Sequence, residues 1–129
     1  FLEGTVFKDN LEIRMWVVHT HSPTTPRKFH SNVNEIKLIH ERIKENSNPL
    51  KIVVGDFNSV PWKKEMMEFE KLGFWNVSLF SYPSNFPLLP IDYVFYNHNF
   101  FLKEYFQTRT SSDHRGIYAV LGIENNKIK

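Results

Sequence analysis

Cysteine is absent from this chain, which removes disulfides, thiolate metal sites and cysteine nucleophiles without fixing a compartment. An excess of one charge is also missing. Sixteen Lys and Arg face 14 Asp and Glu, a formal net charge of +2, so composition makes no case for a polyanion partner. Any phosphate chemistry must then come from a local site. No apolar run approaches the roughly 20 residues that span a bilayer, and there is no signal-like segment, low-complexity stretch or internal repeat. What is present is an ordinary globular composition: 129 residues, 41% hydrophobic and 23% charged, enough for one domain. Aromatics reach 16%, with 12 Phe, more large apolar surface than one small core takes up. The excess is expected to lie against another chain or a partner half.

Along the chain, TVFK (5–8) alternates, meets the turn Lys8-Asp9-Asn10, and leads into LEIRMWVVH. This predicts a hairpin feeding a long strand that ends at Thr20. The Pro- and Ser-rich HSPTTPRKFHS reads as a loop. NVNEIKLIHERIKEN then has helical spacing, with Val33, Ile36, Ile39 and Ile43 on one stripe. Asn32 with Glu35 three residues on suggests a capping box at its start. Ile52-Val53-Val54, closed by Gly55, reads as a strand buried on both faces. Strand, helix, buried strand is a βαβ crossover and predicts parallel pairing. A second helix is expected from Pro61, with Trp62, Met66, Phe69 and Leu72 as its apolar stripe and Gly73 as its end. Residues 74–90 read as irregular, PIDYVFYN and KEYFQT as strands, GIYAVLGI as the last strand, and ENNKIK as a fraying tail. The fold class is α/β, a mixed β-sheet with helices on one face.

Four polar clusters fall at strand ends: His19-Thr20-His21-Ser22-Pro23, Gly55-Asp56-Phe57-Asn58-Ser59, Asp92, and Ser112-Asp113-His114-Arg115. In α/β sheets, ligands bind beyond the carboxyl ends of strands, where loops carry functional groups on a rigid base. Each cluster also has a plainer reading. Asp56 suits a turn, and Asn58 and Ser59 suit the cap of the helix near Pro61, the reading preferred for Ser59. Asp92 stands inside an apolar strand, where an unpaired carboxylate is expensive. It either bonds backbone amides or orients an imidazole, and His114 is the natural partner for the second role. His19 and His21 share one face of an extended segment, but a zinc site lacks third and fourth nitrogen or sulfur ligands.

HTHSP, VVGDFNSVP, PIDYVFYN and SSDHRGIYAVL, in that order, resemble the C-terminal half of the endonuclease/exonuclease/phosphatase superfamily, which includes deoxyribonucleases, apurinic endonucleases, sphingomyelinases and inositol polyphosphate phosphatases. The likeness covers roughly residues 11–123. It implies half of a four-layer α/β sandwich, with residues 1–129 as a single domain whose N-terminal half is not in this sequence. It also implies metal-dependent hydrolysis of a phosphodiester or phosphomonoester by an activated water. The resemblance gives His21 the contact to the scissile phosphate, with His19 as the register alternative. It gives Asp56 the activation or orientation of the water, and Asn58 the support of that Asp or of a phosphate oxygen. His114 would stabilise the pentacovalent phosphorus with Asp92 as its orienting partner, and Asp113 with Asp56 would lie at the metal.

The implied cofactor is Mg2+, or Mn2+ in its place, since hard cations take carboxylates, waters and phosphate. Gly116 stands where the family usually has Pro after Ser-Asp-His-Arg. The family's metal-binding Glu and its first-strand Asn belong to the other half, so this chain is expected to hold an incomplete metal site and to turn over weakly or not at all alone. Expected partners are a phosphoester substrate, nucleic acid among the options, and either the missing half or a second copy on an uncovered sheet face. Arg27, Lys28, Lys63 and Lys64 would favour nucleic acid, whereas the apolar stretch 79–90 would favour a lipid or small phosphoester. The alternative class is a non-catalytic binding module that keeps the fold.

Overall fold

The computed structural model describes residues 1–124, so the expectation for the tail beyond Glu124 lies outside the described residues. Strands β1 (Leu2–Lys8) and β2 (Leu11–His19) form the expected hairpin through Asp9 and Asn10, both at positive φ. Helix α1 (Pro26–Glu45) crosses to β3 (Lys51–Asp56), which pairs parallel with β2. Helix α2 (Lys64–Lys71) follows, then β4 (Phe74–Ser78), β5 (Asp92–Asn97), β6 (Phe100–Thr108) and β7 (Gly116–Ile123). The main sheet runs β1-β2-β3-β5-β4, with β5 antiparallel to both its neighbours; β6 and β7 form a separate two-stranded antiparallel sheet.

Strand parity sorts the core into two layers. Trp16, Val18, Val53 and Phe95 face Ile36, Ile39 and Ile43 of α1 and Met66 and Phe69 of α2. Ile13, Ile52, Val77 and Tyr96 face the opposite way, towards Phe100, Leu102, Ile117, Ala119 and Leu121 of the β6–β7 ribbon. The run Ile52-Val53-Val54 is therefore covered on both sides, as its unbroken apolar character predicts. The stacking order is helices, five-stranded sheet, ribbon.

Several expectations shift. Helix α1 starts six residues before Asn32, because Thr25 caps it by accepting from the Lys28 N–H at 3.3 Å and Pro26 suits the first turn. Asn32 is consequently inside the helix and fully buried. Helix α2 begins at Lys64 rather than Pro61, and Trp62 projects into solvent. Ser59 caps nothing; it is buried, and its carbonyl accepts from the Tyr93 hydroxyl at 2.8 Å. Residues 74–78, read as irregular, form edge strand β4. The last strand is not in the main sheet.

Gly55 requires its lack of a side chain. Its φ is +135°, and a Cβ there would lie 2.0 Å from the Val18 carbonyl oxygen. A loop lock stands next to it. The side-chain Nδ2 of Asn32 shares its two protons among Thr20 Oγ1 at 2.8 Å, the His21 carbonyl at 3.0 Å and the Phe57 carbonyl at 2.9 Å. The segments leaving β2 and β3 are thus tied to each other and to α1.

Candidate active site

Three polar residues occupy one cross-strand row. His19 at the end of β2 pairs in register with Asp56 at the end of β3, which pairs with Asp92 at the start of antiparallel β5. Residues opposite one another across a sheet point to the same face. For this row it is the ribbon face, because His19 shares parity with Met15 and Asp56 shares parity with Ile52. The turn before β7 approaches from that side. So the final strand delivers His114 to the row although it lies in the other sheet, and the expectation that these residues converge at one sheet edge is met by stacking rather than by pairing.

His114 Nδ1–H donates to Asp92 Oδ2 at 2.7 Å, which leaves Nε2 directed at Asp56, 3.8 Å from Oδ2. His19 Nε2 lies 3.9 Å from the same Asp56 oxygen. Asn58, at a positive φ of 45°, folds back over Asp56: its N–H donates to Oδ1 at 2.7 Å, and its side-chain amide reaches Oδ2 at 3.3 Å and the Thr20 carbonyl at 2.9 Å. The Tyr82 ring lies against the His114 imidazole, centroids 4.8 Å apart. His19, Asp56, Asn58, Tyr82 and His114 line a cavity of about 480 Å3 together with Asp113, while Val60, Leu89 and Ile91 form an apolar wall and Lys63 also lines it.

Burial raises the Asp56 pKa above the usual carboxylate value; the Asn58 N–H opposes this, and the Asp92 charge adds to it. Burial works against the charge on His114, but its hydrogen bond to Asp92 and the charges of Asp92, Asp56 and Asp113 outweigh it and raise its pKa.

Of the sequence candidates, Asp56, Asn58, Asp92 and His114 come together, and Asp113 joins them at the cavity wall. His21 does not. Its N–H and Nδ1 both bond Glu35 of α1, at 2.8 and 2.6 Å, and its side chain is 58% exposed. The register alternative His19 takes the place at Asp56, because His19 is still within the strand while His21 has passed its end and turned to the helix. Two residues that sequence reasoning passed over, Ser81 and Tyr82, also contact the Asp92–His114 pair, and nothing in the proline-broken stretch 79–90 marks them out.

Asp56, Asp92 and His114 each offer a ligand atom within 4.8 Å of the others, the one such grouping among the described residues. The donor set suits a hard divalent cation. The Asp56 and Asp92 carboxylates converge with the His114 imidazole, Asp113 stands at the cavity wall, and Asp56 in particular is held where its negative charge is poorly solvated. Asp92 Oδ2 is engaged by His114, so the second Asp92 oxygen, Asp56 and, at the cavity wall, Asp113 are the carboxylate donors on hand.

A cavity lined by carboxylates and imidazoles at strand ends of an α/β sheet is the setting in which the likeness to known proteins falls. Residues 9–114 match the Endonuclease/Exonuclease/phosphatase family, and the chain belongs to that family. Solved structures agree on the fold. An endonuclease/exonuclease/phosphatase from Beutenbergia cavernae is 16% identical, with a TM-score of 0.77 over 94% of this chain and 38% of that one. A mannosyl-6-phosphatase from Bacteroides thetaiotaomicron is 19% identical, with a TM-score of 0.69 over 89% of this chain and 53% of that one. A humanized D. rerio TDP2 is 16% identical, with a TM-score of 0.72 over 93% and 59%. The chain spans about half the length of such structures. No curated protein matches it in sequence.

Proposed function

We propose that this chain carries the water-activating part of a metal-dependent phosphoesterase site, hydrolysing a phosphodiester or phosphomonoester. The observation that supports this most directly is the His19–Asp56–Asp92 row with His114 set over it. Asp56 is the group that takes a proton from the attacking water. Burial makes it more basic than a solvated carboxylate, and Asn58 fixes its orientation. His114, its Nδ1–H held by Asp92, presents Nε2 to the phosphoryl oxygens and supplies positive charge where negative charge develops. His19 is the second imidazole within reach of those oxygens. Mg2+ or Mn2+, held by Asp56 and Asp113 with waters, would add Lewis-acid stabilisation. The apolar wall and the single Lys63 favour a small phosphoester over a nucleic-acid backbone, which needs a basic track. Residues 1–129 are read as the C-terminal half of the domain, with weak turnover or none alone.

Titration of the 15N-labelled protein with Mn2+ tests the reading. Paramagnetic broadening is expected first at Asp56, Asp113 and His114, and Asp56→Asn should abolish it together with any residual hydrolysis of p-nitrophenyl phosphoesters. Broadening confined to residues away from the cavity would overturn the assignment. Rapid Mg2+-dependent turnover by the protein would instead refute the expectation of an incomplete site.

A further inference from the structure

One carboxylate oxygen serves two donors. Asp92 Oδ2 lies 2.7 Å from His114 Nδ1 and 2.5 Å from Ser81 Oγ, and Ser81 has no exposed surface. The Ser81 hydroxyl has one proton to give. Its other near acceptor, the Leu89 carbonyl, is 3.4 Å away, so the short bond to the charged oxygen takes it. The serine is itself held at both backbone atoms: its N–H donates to the Leu89 carbonyl at 3.1 Å, and its carbonyl accepts from the Arg115 N–H at 2.9 Å. The next residues repeat the pattern, with Ser84 N–H donating to the Asp113 carbonyl at 2.6 Å and Arg115 Nε donating to the Ser84 carbonyl at 2.8 Å. Segment 81–84 is therefore bonded to segment 113–115 from the far side of the site, and Tyr82 covers one face of the imidazole.

We propose that Ser81 is a positioning residue for the Asp92–His114 pair: its buried hydroxyl holds the Asp92 carboxylate in the orientation that keeps a proton on His114 Nδ1 and leaves Nε2 as the ring atom that faces the cavity. Without that bond Asp92 has a free rotor and one weaker anchor, and the imidazole loses the constraint that selects its tautomer. The proposal rests on the reading of His114 as the phosphoryl-facing imidazole, but its test does not require turnover.

The test is long-range 1H–15N correlation of the His114 ring in the metal-free protein, at a pH high enough that the ring is neutral. The wild type should show a protonated Nδ1 and a bare Nε2. Ser81→Ala should move the tautomer ratio several-fold towards Nε2–H, because a carboxylate free to turn no longer holds its oxygen in line with Nδ1. Ser81→Thr, which keeps the hydroxyl, should restore the wild-type ratio. Ser81→Cys, close in shape but a weak donor, should behave as the alanine variant, and carries the test if Ser81→Ala does not fold. A wild-type ratio in folded Ser81→Ala or Ser81→Cys, or failure of folded Ser81→Thr to restore it, overturns the proposal. Should the tautomer respond as expected while Asp56→Asn leaves Mn2+ broadening intact, the positioning role stands and the metal-site reading falls.

Discussion

His40 gives the protein an acid-sensitive joint between its helices. It sits on α1 with 5% of its surface exposed, packed edge-on to Phe69 of α2 at 4.6 Å, and its Nε2 is buried without a hydrogen-bond partner among the described residues. Burial lowers its pKa from 6.5 to about 4; Glu68 and Glu65 pull the other way and Lys44 assists the fall. The folded state therefore holds the neutral ring, whereas the unfolded chain takes up a proton near pH 6.5. Below that pH the unfolded state binds more protons, so stability that is complete above pH 6.5 drains away as pH falls towards 4. One pKa unit is worth ~1.4 kcal/mol. A gap of this size removes about 2 kcal/mol between pH 7 and pH 5 and about 3 kcal/mol by pH 4. His40→Leu, similar in volume and unable to charge, isolates this contribution from every other titrating group. Urea unfolding followed by Trp fluorescence should show the variant gaining about 2 kcal/mol on the wild type between pH 7 and pH 5. A difference between the two proteins that stays constant over that range would refute the account, because it would mean that the folded state protonates His40 as readily as the unfolded chain does.

Other outcomes follow from particular contacts. Gly55→Ala should cost about 3 kcal/mol or more, since its Cβ would sit 2.0 Å from the Val18 carbonyl oxygen at a φ foreign to side-chain-bearing residues; a urea midpoint equal to that of the wild type would contradict it. Asn32→Leu leaves Thr20 Oγ1 and the His21 carbonyl without the Asn32 donor, while the Phe57 carbonyl keeps the Thr20 hydroxyl, and should cost about 1–3 kcal/mol, with faster hydrogen exchange at the Thr20 amide. Leu2, Val6 and Val17 share the ribbon-side face of the main sheet and stay exposed, as do Phe101, Phe106 and Tyr118 on the ribbon, so light scattering should show mass rising with concentration. A constant monomer mass would remove self-association through these surfaces.

What could be read in the sequence was what is written locally. The βαβ unit shows itself because Ile36, Ile39 and Ile43 repeat at helical spacing and Ile52-Val53-Val54 is apolar without a break. The first turns of α1 were hidden because Pro26 to Ser31 pack little and carry no apolar rhythm; only the Thr25-Pro26 pair signals the start. Strand β4 was hidden for a related reason. It is a five-residue edge strand with Phe74 and Val77 buried and Trp75 exposed, which departs from the two-residue alternation that marks a half-buried strand. Which residues carry the candidate chemistry was legible in Gly-Asp-Phe-Asn and Ser-Asp-His, whereas the choice between His19 and His21 depended on where β2 stops. That end point is set by tertiary contacts. Glu35 draws His21 aside, and no property of residues 19–21 alone announces it.

The row of site residues is only as good as the register beneath it. Side chains alternate faces along a strand, so a slip of one residue between β2 and β3 would send His19 and Asp56 to opposite sides of the sheet. Two features oppose that slip at the place where it would do most damage. Gly55 lets β3 lie close against the Val18 carbonyl one step before the row, and Thr20 N–H donates to the Asp56 carbonyl at 3.1 Å one step after it. Thr20 is held in turn by Asn32 and Phe57. The same contacts that stabilise this corner therefore fix the spacing of His19 and His114 about Asp56. A destabilising change at Asn32 should for that reason disturb the site before it unfolds the domain. In folded Asn32→Leu the imidazole signals of His19 are expected to shift while those of His40, held in the helix layer, stay in place. The reverse pattern would show that the sheet end keeps its register without the lock.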